Sequence, residues 1–511
     1  MTSRLTTALI AAAIVLGGTL LYTRDLDRVP PYLIHDEAQG ALQAHAIATT
    51  GRDLSGRLLP MYFTEPEFPP GRDPALIYVT ALGLKVLPFT EAGARTPTAL
   101  IAVLNVLLMF FAARAIFQST WAGVVAALML ALAPIHFIRG RLLLSPLYSI
   151  PFVLGWLWAL ARFEEQPSPK RFIAACAVLA IGMYSYLAAV VMMPLYVLMT
   201  VGIAARSMRW RAVVLAAVAG FVCLLPMAAW YLTHPERNAQ IVSAYQLAGD
   251  RSLAEAIGSR INLYWQFFDP SYLFVSGDPS MVNSTRTSGL FPWAFAALLP
   301  IGLWAIARRR DPIGWVIAAG FLTAPIVSII SGGIEMNRVM FAIPFAVMVA
   351  SYGVVALWQG RALLPRFAAA ALVVSIALQF ISFHRYYMSD SYRIGAAQWF
   401  SGSVREAMRE LIARSGDAEA VYISTNIEWV HRMWRFYAIE AGRQELIGRA
   451  FYYKDLPSKV PARATLICPA ESPACASLGG SGAWRDVVRV PTLDGSRTFV
   501  IFERTPSDKA D

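Results

Sequence analysis

Residues 172–205 read FIAACAVLAIGMYSYLAAVVMMPLYVLMTVGIAA, thirty-four residues without one charged side chain. As a single helix rising 1.5 Å per residue this run would reach ~50 Å. A bilayer core of ~30 Å is crossed by ~20 apolar residues. The run therefore reads as two helices with a turn near YSYLA (184–188), and it sets the fold class: the chain is built for lipid. Working outward, apolar runs of spanning length recur at 5–22, 96–117, 121–138, 142–161, 212–232, 289–307, 312–333, 339–358 and 366–384. The expectation is an α-helical polytopic membrane protein with about 11 transmembrane helices. Composition agrees, with 57% hydrophobic and 15% charged residues and a mean hydropathy of +0.51, where soluble domains carry about 25% charge.

The formal charge of +11 would suggest a nucleic-acid partner in a soluble protein. Here the short loops account for it. With Arg4 cytoplasmic, alternation places Arg114, then Arg162, Lys170 and Arg171, then Arg206, Arg209 and Arg211, then Arg308, Arg309 and Arg310, and finally Arg361 and Arg366 on one side. This is the positive-inside pattern, so no nucleic acid is called for. The run 5–22 is long, lacks a clear small-x-small cleavage site and keeps the alternation in phase, so it reads as an uncleaved anchor. Three pieces then lie outside: 23–95, 233–288 and the tail 385–511. The division expected is a membrane domain, 1–384, followed by a small soluble α/β domain, 385–511.

In the first outer piece, PPYLIHDEAQG (30–40) sets two adjacent carboxylates, Asp36 and Glu37, beside His35 at the start of a helix-like stretch. Asp36 reads as that helix's cap and Glu37 as complementing its dipole; a general base taking a proton from a hydroxyl is the functional reading, and the two are compatible. A second helix is expected over 74–87, with Asp73 at its cap and Pro74 at its first position. Both helices suit the membrane surface. GRDLSGRLLPMYFTEPEFPPGR between them reads as irregular loop. Glu65 and Glu67 in that loop, with His35, are candidates for an acceptor contact or a divalent metal, which would require other acids or histidines to converge on them. Elsewhere Tyr184 and Tyr186 read as interfacial aromatics.

Arg72, Arg95, Arg139, Arg141 and Arg338 fall near the outer interface, against the positive-inside bias. A cluster of guanidinium groups there points to a bound anion, phosphate above all. In the tail, VREAMRELIAR and IEWVHRMWRFYAIEAG read as helices, and AVYIST, ATLIC, RDVVRV and RTFVIFE as strands. Cys468 and Cys475 flank PAESPA there and are candidates for a disulfide in an oxidising compartment. Cys176 and Cys223 lie in apolar runs as inert filler. Asn283-Ser-Thr is a glycosylation sequon, relevant only in a eukaryotic secretory pathway.

Four stretches in order, HDEAQGALQAHAIATTGRDLSGRLLPMYF (35–63), GARTPTALIAVLNVLL (93–108), YLFVSGDPS (272–280) and NRVMFAIPFAVMVASYG (337–353), carry a family likeness. Over residues 20–400 the chain resembles the GT-C class of polyprenyl-phosphate-sugar-dependent glycosyltransferases. It is most similar to the bacterial branch of the protein O-mannosyltransferase family, which includes the lipid A aminoarabinose and galacturonic acid transferases. The resemblance implies transfer of a single sugar from a polyprenyl-phosphate donor to a hydroxyl of an envelope glycan, glycolipid or protein, with inversion. It places the catalytic base on Asp36, with Glu37 beside it, and the donor phosphate among Arg72, Arg139, Arg141 and Arg338. The aminoarabinose enzymes carry Lys-Pro-Pro after this loop; here RDPALIY puts Arg72 in the lysine's place. No nucleotide is implied and a divalent metal stays open.

The Ala- and Arg-rich composition points to a bacterial inner membrane, with the active site and tail facing the periplasm. The rival readings are a transporter or flippase, against which stand the large outer segments and the absence of an internal repeat, and an O-antigen polymerase or ligase, which would use a diphosphate carrier.

Overall fold

The computed structural model describes residues 2–65, 68–236, 252–456, 459–479 and 483–504. The chain divides into two compact units. One comprises Met1–Arg24, Arg57–Val79 and Thr96–Arg385; the other comprises Asp25–Gly56, Thr80–Arg95 and Tyr386–Asp511.

The first unit is helical. Among the described residues, five helices are long and apolar enough to cross a membrane: Arg4–Thr23, Glu91–Phe117, which begins in the second unit, Trp210–Thr233, Pro312–Ser331 and Leu363–Tyr387. The remaining apolar runs form shorter helices. The run 172–205 divides into Pro169–Gly182 and Ala189–Ala204 with turns over 183–188, at the expected place. The run 121–138 breaks before Pro134, which ends one helix at Ala131 and opens another, Pro134–Arg139. The run 142–161 becomes helical only from Ile150, after a 3-10 turn at Ser145–Ser149. A run of apolar residues gives total length but not where prolines and buried turns interrupt it.

Ala342–Trp358 is buried on all sides from Ala342 to Val355, as a helix that is apolar all round should be. Its approach to Ala294–Arg309 depends on two glycines. A Cβ on Gly302 would lie 1.9 Å from the Val349 carbonyl oxygen, and one on Gly353 would lie 2.5 Å from that of Leu298. Small residues at such crossings let backbones touch where lipid supplies no hydrophobic drive.

Irregular loop was expected between the first two outer helices. Instead Phe63–Glu65 (β1) and Phe68–Arg72 (β2) pair antiparallel, with Phe63 opposite Arg72. Pro69 and Pro70 argued against a strand, but a two-stranded ribbon leaves an unpaired edge on each strand where a missing N–H is tolerated.

The second unit carries a five-stranded sheet in the order β4-β3-β5-β7-β6, from Ala420–Ser424 (β3), Ala450–Tyr453 (β4), Ala464–Pro469 (β5), Trp484–Pro491 (β6) and Thr498–Arg504 (β7). Strand β3 runs parallel to both β4 and β5, while β7 is antiparallel to β5 and β6. Helices Arg405–Arg414 and Val430–Glu440 match the tail helices read from periodicity. The unforeseen strand is β4, a short edge strand. Cys468 and Cys475 are joined in a disulfide within the core of this sheet.

This unit also takes in 25–56 and 80–95, and buried charge explains why. Glu37 pairs with Arg95, and Glu91 accepts from both Arg405, at 3.2 Å, and the Tyr437 hydroxyl, at 2.9 Å. Arg405 also lies over the Tyr32 ring. Buried ions must be partnered, so these pairs tie the first outer segment to the tail.

Candidate active site

The helix carrying the two adjacent carboxylates runs His35–Thr50. Its cap position is Ile34, not Asp36 as expected, and isoleucine offers no oxygen to the free N–H groups of a first turn. Two other groups answer that need. Glu37 reaches back so that its Oε2 accepts from the Ile34 N–H at 3.1 Å, and the Ser401 hydroxyl accepts from the His35 N–H at 2.7 Å.

Glu37 is fully buried and held in a fork by Arg95, whose Nε and Nη2 donate to Oε1 and Oε2 at 2.9 Å each. The rest of the guanidinium donates to the carbonyls of Leu26, Pro30 and Tyr32. All the geometry of a bidentate pair is used inside the protein. Arg95, expected among the candidates for an outer anion, is thus spent on Glu37. Glu37 is equally unsuited to exchange protons with a substrate. Asp36, one residue earlier, turns the other way: its side chain is 43% exposed, with Oδ1 3.7 Å from His35 Nε2. Both acids sit in the first turn, at the positive end of the helix. One carboxylate is structural and the other is presented.

His35 is fixed from the tail. Its ring stacks on Trp429 with centroids 4.4 Å apart and planes 10° apart, and its Nδ1 lies 3.3 Å from the Ser401 hydroxyl. Trp429 in turn lies under the Arg432 guanidinium at 4.5 Å. Sequence reasoning missed Ser401 and Trp429, because nothing at 35–37 signals a partner nearly four hundred residues away.

In the other unit, Arg139 is almost fully buried at the end of Pro134–Arg139. Its Nη1 donates to Asn283 Oδ1 at 2.6 Å and its Nη2 to Asn337 Oδ1. Asp278 lies nearby, its carboxyl raised by burial and held back by the Ser280 N–H, Asn283 and Arg139. The motifs YLFVSGDPS and NRVMFAIPF therefore meet through one arginine. The sequon asparagine is occupied by that contact. Arg141, also buried, donates to the Tyr22 carbonyl at 2.9 Å and lies over Phe137. Arg338 pairs with Glu335 at 3.1 Å and donates to the Gly333 carbonyl, keeping 16% side-chain exposure.

Arg72 ends strand β2 and is partly exposed. The next residue, Asp73, directly precedes the helix Pro74–Leu84. Burial pushes its carboxyl up to about 7, against the opposing effects of the Ser145 hydroxyl and Arg72. Glu65 lies in β1, and Glu67 lies outside the described residues. Among the described residues, no group of three or more His, Cys, Asp or Glu side chains forms a metal-binding set.

Residues 69–230, which include Arg72, Arg95, Arg139 and Arg141 but not Asp36, match the family model described as dolichyl-phosphate-mannose-protein mannosyltransferase. No curated protein matches the sequence. Two crystal structures of ArnT from Cupriavidus metallidurans resemble the chain over 98% of its length and 98% of theirs. The apo state has 15% identity and a TM-score of 0.59, and the state bound to undecaprenyl phosphate has 14% and 0.60. At such identities it is the fold that is shared. The chain thus shares the ArnT fold over nearly its whole length, and its segment 69–230 matches the mannosyltransferase family model.

Proposed function

We propose that the enzyme moves a single sugar from a polyprenyl-phosphate carrier to a hydroxyl of an envelope glycan, glycolipid or protein, at the periplasmic face of a bacterial inner membrane. The observation that carries this reading is the division of labour at 36–37: Glu37 is locked by Arg95 while the Asp36 carboxylate is presented. Asp36 accepts the proton of the acceptor hydroxyl as its oxygen attacks the anomeric carbon. The bond from that carbon to the phosphate oxygen breaks, the configuration inverts, and the polyprenyl phosphate leaves as the anion. The likeness to an ArnT structure bound to undecaprenyl phosphate supports the choice of carrier, and the one-sided loop arginines support the orientation.

Arg72, partly exposed at the end of β2, is assigned to the leaving phosphate on the family resemblance, with Arg338 as the second candidate. A preorganised cation acts where charge grows in the transition state. Arg139 and Arg141, candidates on sequence grounds, take a scaffolding role in this reading because their guanidinium groups are buried among protein acceptors.

Arg72→Ala should raise the half-saturating donor concentration ~10-fold or more, with Arg72→Lys intermediate and acceptor saturation unchanged. Equal effects on donor and acceptor would remove Arg72 from the phosphate. With guanidinium groups carrying the phosphate charge, EDTA should leave transfer by washed membranes within about 2-fold of the untreated rate. A loss restored by Mg²⁺ or Mn²⁺ would add a metal to the site.

A further inference from the structure

The carboxylate assigned as base sits on a helix that depends on the tail for part of its cap. Ile34 has no acceptor, and the N–H of His35, next to Asp36, is taken by the Ser401 hydroxyl of the tail. The ring of the same histidine is stacked on Trp429. Two separate groups of the tail therefore hold one residue, and that residue's Nε2 lies 3.7 Å from the Asp36 carboxylate.

The position of Trp429 is itself unusual. It opens the helix Val430–Glu440 with φ +53°, in the left-handed region. A bulky side chain there is a genuine outlier, and such conformations persist where surrounding contacts over-determine them and cluster at functional sites. His35 and Arg432 are those contacts. The loop that delivers Trp429 leaves the carboxyl end of β3. This strand has its two parallel neighbours, β4 and β5, on opposite sides. In open α/β sheets the loops at such a parting of connections are the ones that carry sites.

We infer that the α/β tail is a component of the active site: Ser401 and Trp429 are positioning residues that fix His35 and, through it, the orientation of the Asp36 carboxylate. The inference rests on the reading of Asp36 as base. It gives the tail a function in the chemistry itself, apart from any choice of acceptor. A general base must lie within hydrogen-bond reach of the proton it takes, and a displacement of about 1 Å can cost ~10²-fold in rate.

The test uses full-length protein in membranes, with the lipid-linked sugar pool extracted from the source strain as donor and envelope glycan from a strain lacking the gene as acceptor. Trp429→Ala should lower turnover ~10- to 100-fold at unchanged half-saturation for the donor extract. Trp429→Phe, which keeps a ring to stack on His35, should recover most of that loss, and Ser401→Ala should lower turnover several-fold. The stack is read independently by the tryptophan emission of purified protein. The share assigned to Trp429, obtained by subtracting the Trp429→Phe spectrum, should change on His35→Ala. Full turnover in Trp429→Ala would overturn the inference, as would Phe failing as badly as Ala, or a Trp429 emission indifferent to His35. Asp36→Asn serves as the control. If it is inactive while Trp429→Ala is fully active, only the positioning role falls; if it is active, the base assignment beneath it falls.

Discussion

Replacing Asp36 by Asn should reduce sugar transfer ~10²- to 10⁴-fold, the range over which a positioned general base contributes, while leaving expression, insertion and thermal unfolding close to wild type. The second half of that expectation is what makes the first informative. Asp36 is 43% exposed on its side chain, and the helix beneath it is capped by Ser401 and Glu37. An amide there keeps the size of the side chain while removing the proton acceptor, and substitutions at partly exposed positions usually stay within ~0.5 kcal/mol. A variant that inserts, resists heat as wild type does, and still transfers at the normal rate would take the base role away from Asp36.

The neighbouring carboxylate should behave in the opposite way. Glu37→Gln removes the carboxylate paired with the fully buried Arg95, and breaking a buried pair from one side typically costs ~3–5 kcal/mol. That is a large fraction of the ~5–15 kcal/mol that holds an ordinary domain together. The expected result is a fall of ~10 °C in the unfolding midpoint of detergent-solubilised protein, or loss of protein from the membrane, with transfer lost in proportion to folded protein. Removing both charges tests the cause. Glu37→Leu combined with Arg95→Met should be distinctly more stable than either single change, because replacing a whole buried pair by apolar groups is often close to neutral. If Glu37→Gln remains as stable as wild type but loses turnover, Glu37 takes part in the chemistry and the separation of roles drawn between the two acids fails.

The hydrophobic periodicity, the charge asymmetry of the loops and the turn within 172–205 were all legible in the sequence, because each follows from how a helix must satisfy a bilayer. The tail strands showed for a similar reason, since alternation survives wherever one face of a sheet is buried. What could not be read was partnership. Asp36 and Glu37 are chemically equivalent as letters; they are separated by Arg95, which approaches from fifty-eight residues away. The outer arginines looked like one anion-binding set, yet Arg95 is held by a carboxylate, while Arg139 donates to two amides and Arg141 to a carbonyl. A sequence shows that a guanidinium is present but not what already fills its donors. The helix start also moved by two residues, from an aspartate with a good capping side chain to an isoleucine with none, because Ser401 supplies the missing acceptor through the fold.

The measurement that bears most directly on the account is mass spectrometry of envelope glycans and glycolipids from three strains: one lacking the gene, one with the wild-type gene restored, and one restored with Asp36→Asn at equal protein level. The account predicts that a single sugar mass disappears in the first, returns in the second, and stays absent in the third. That sugar, once identified, also names the donor. Restoration of the same mass by Asp36→Asn, or identical glycans in all three strains, would contradict it.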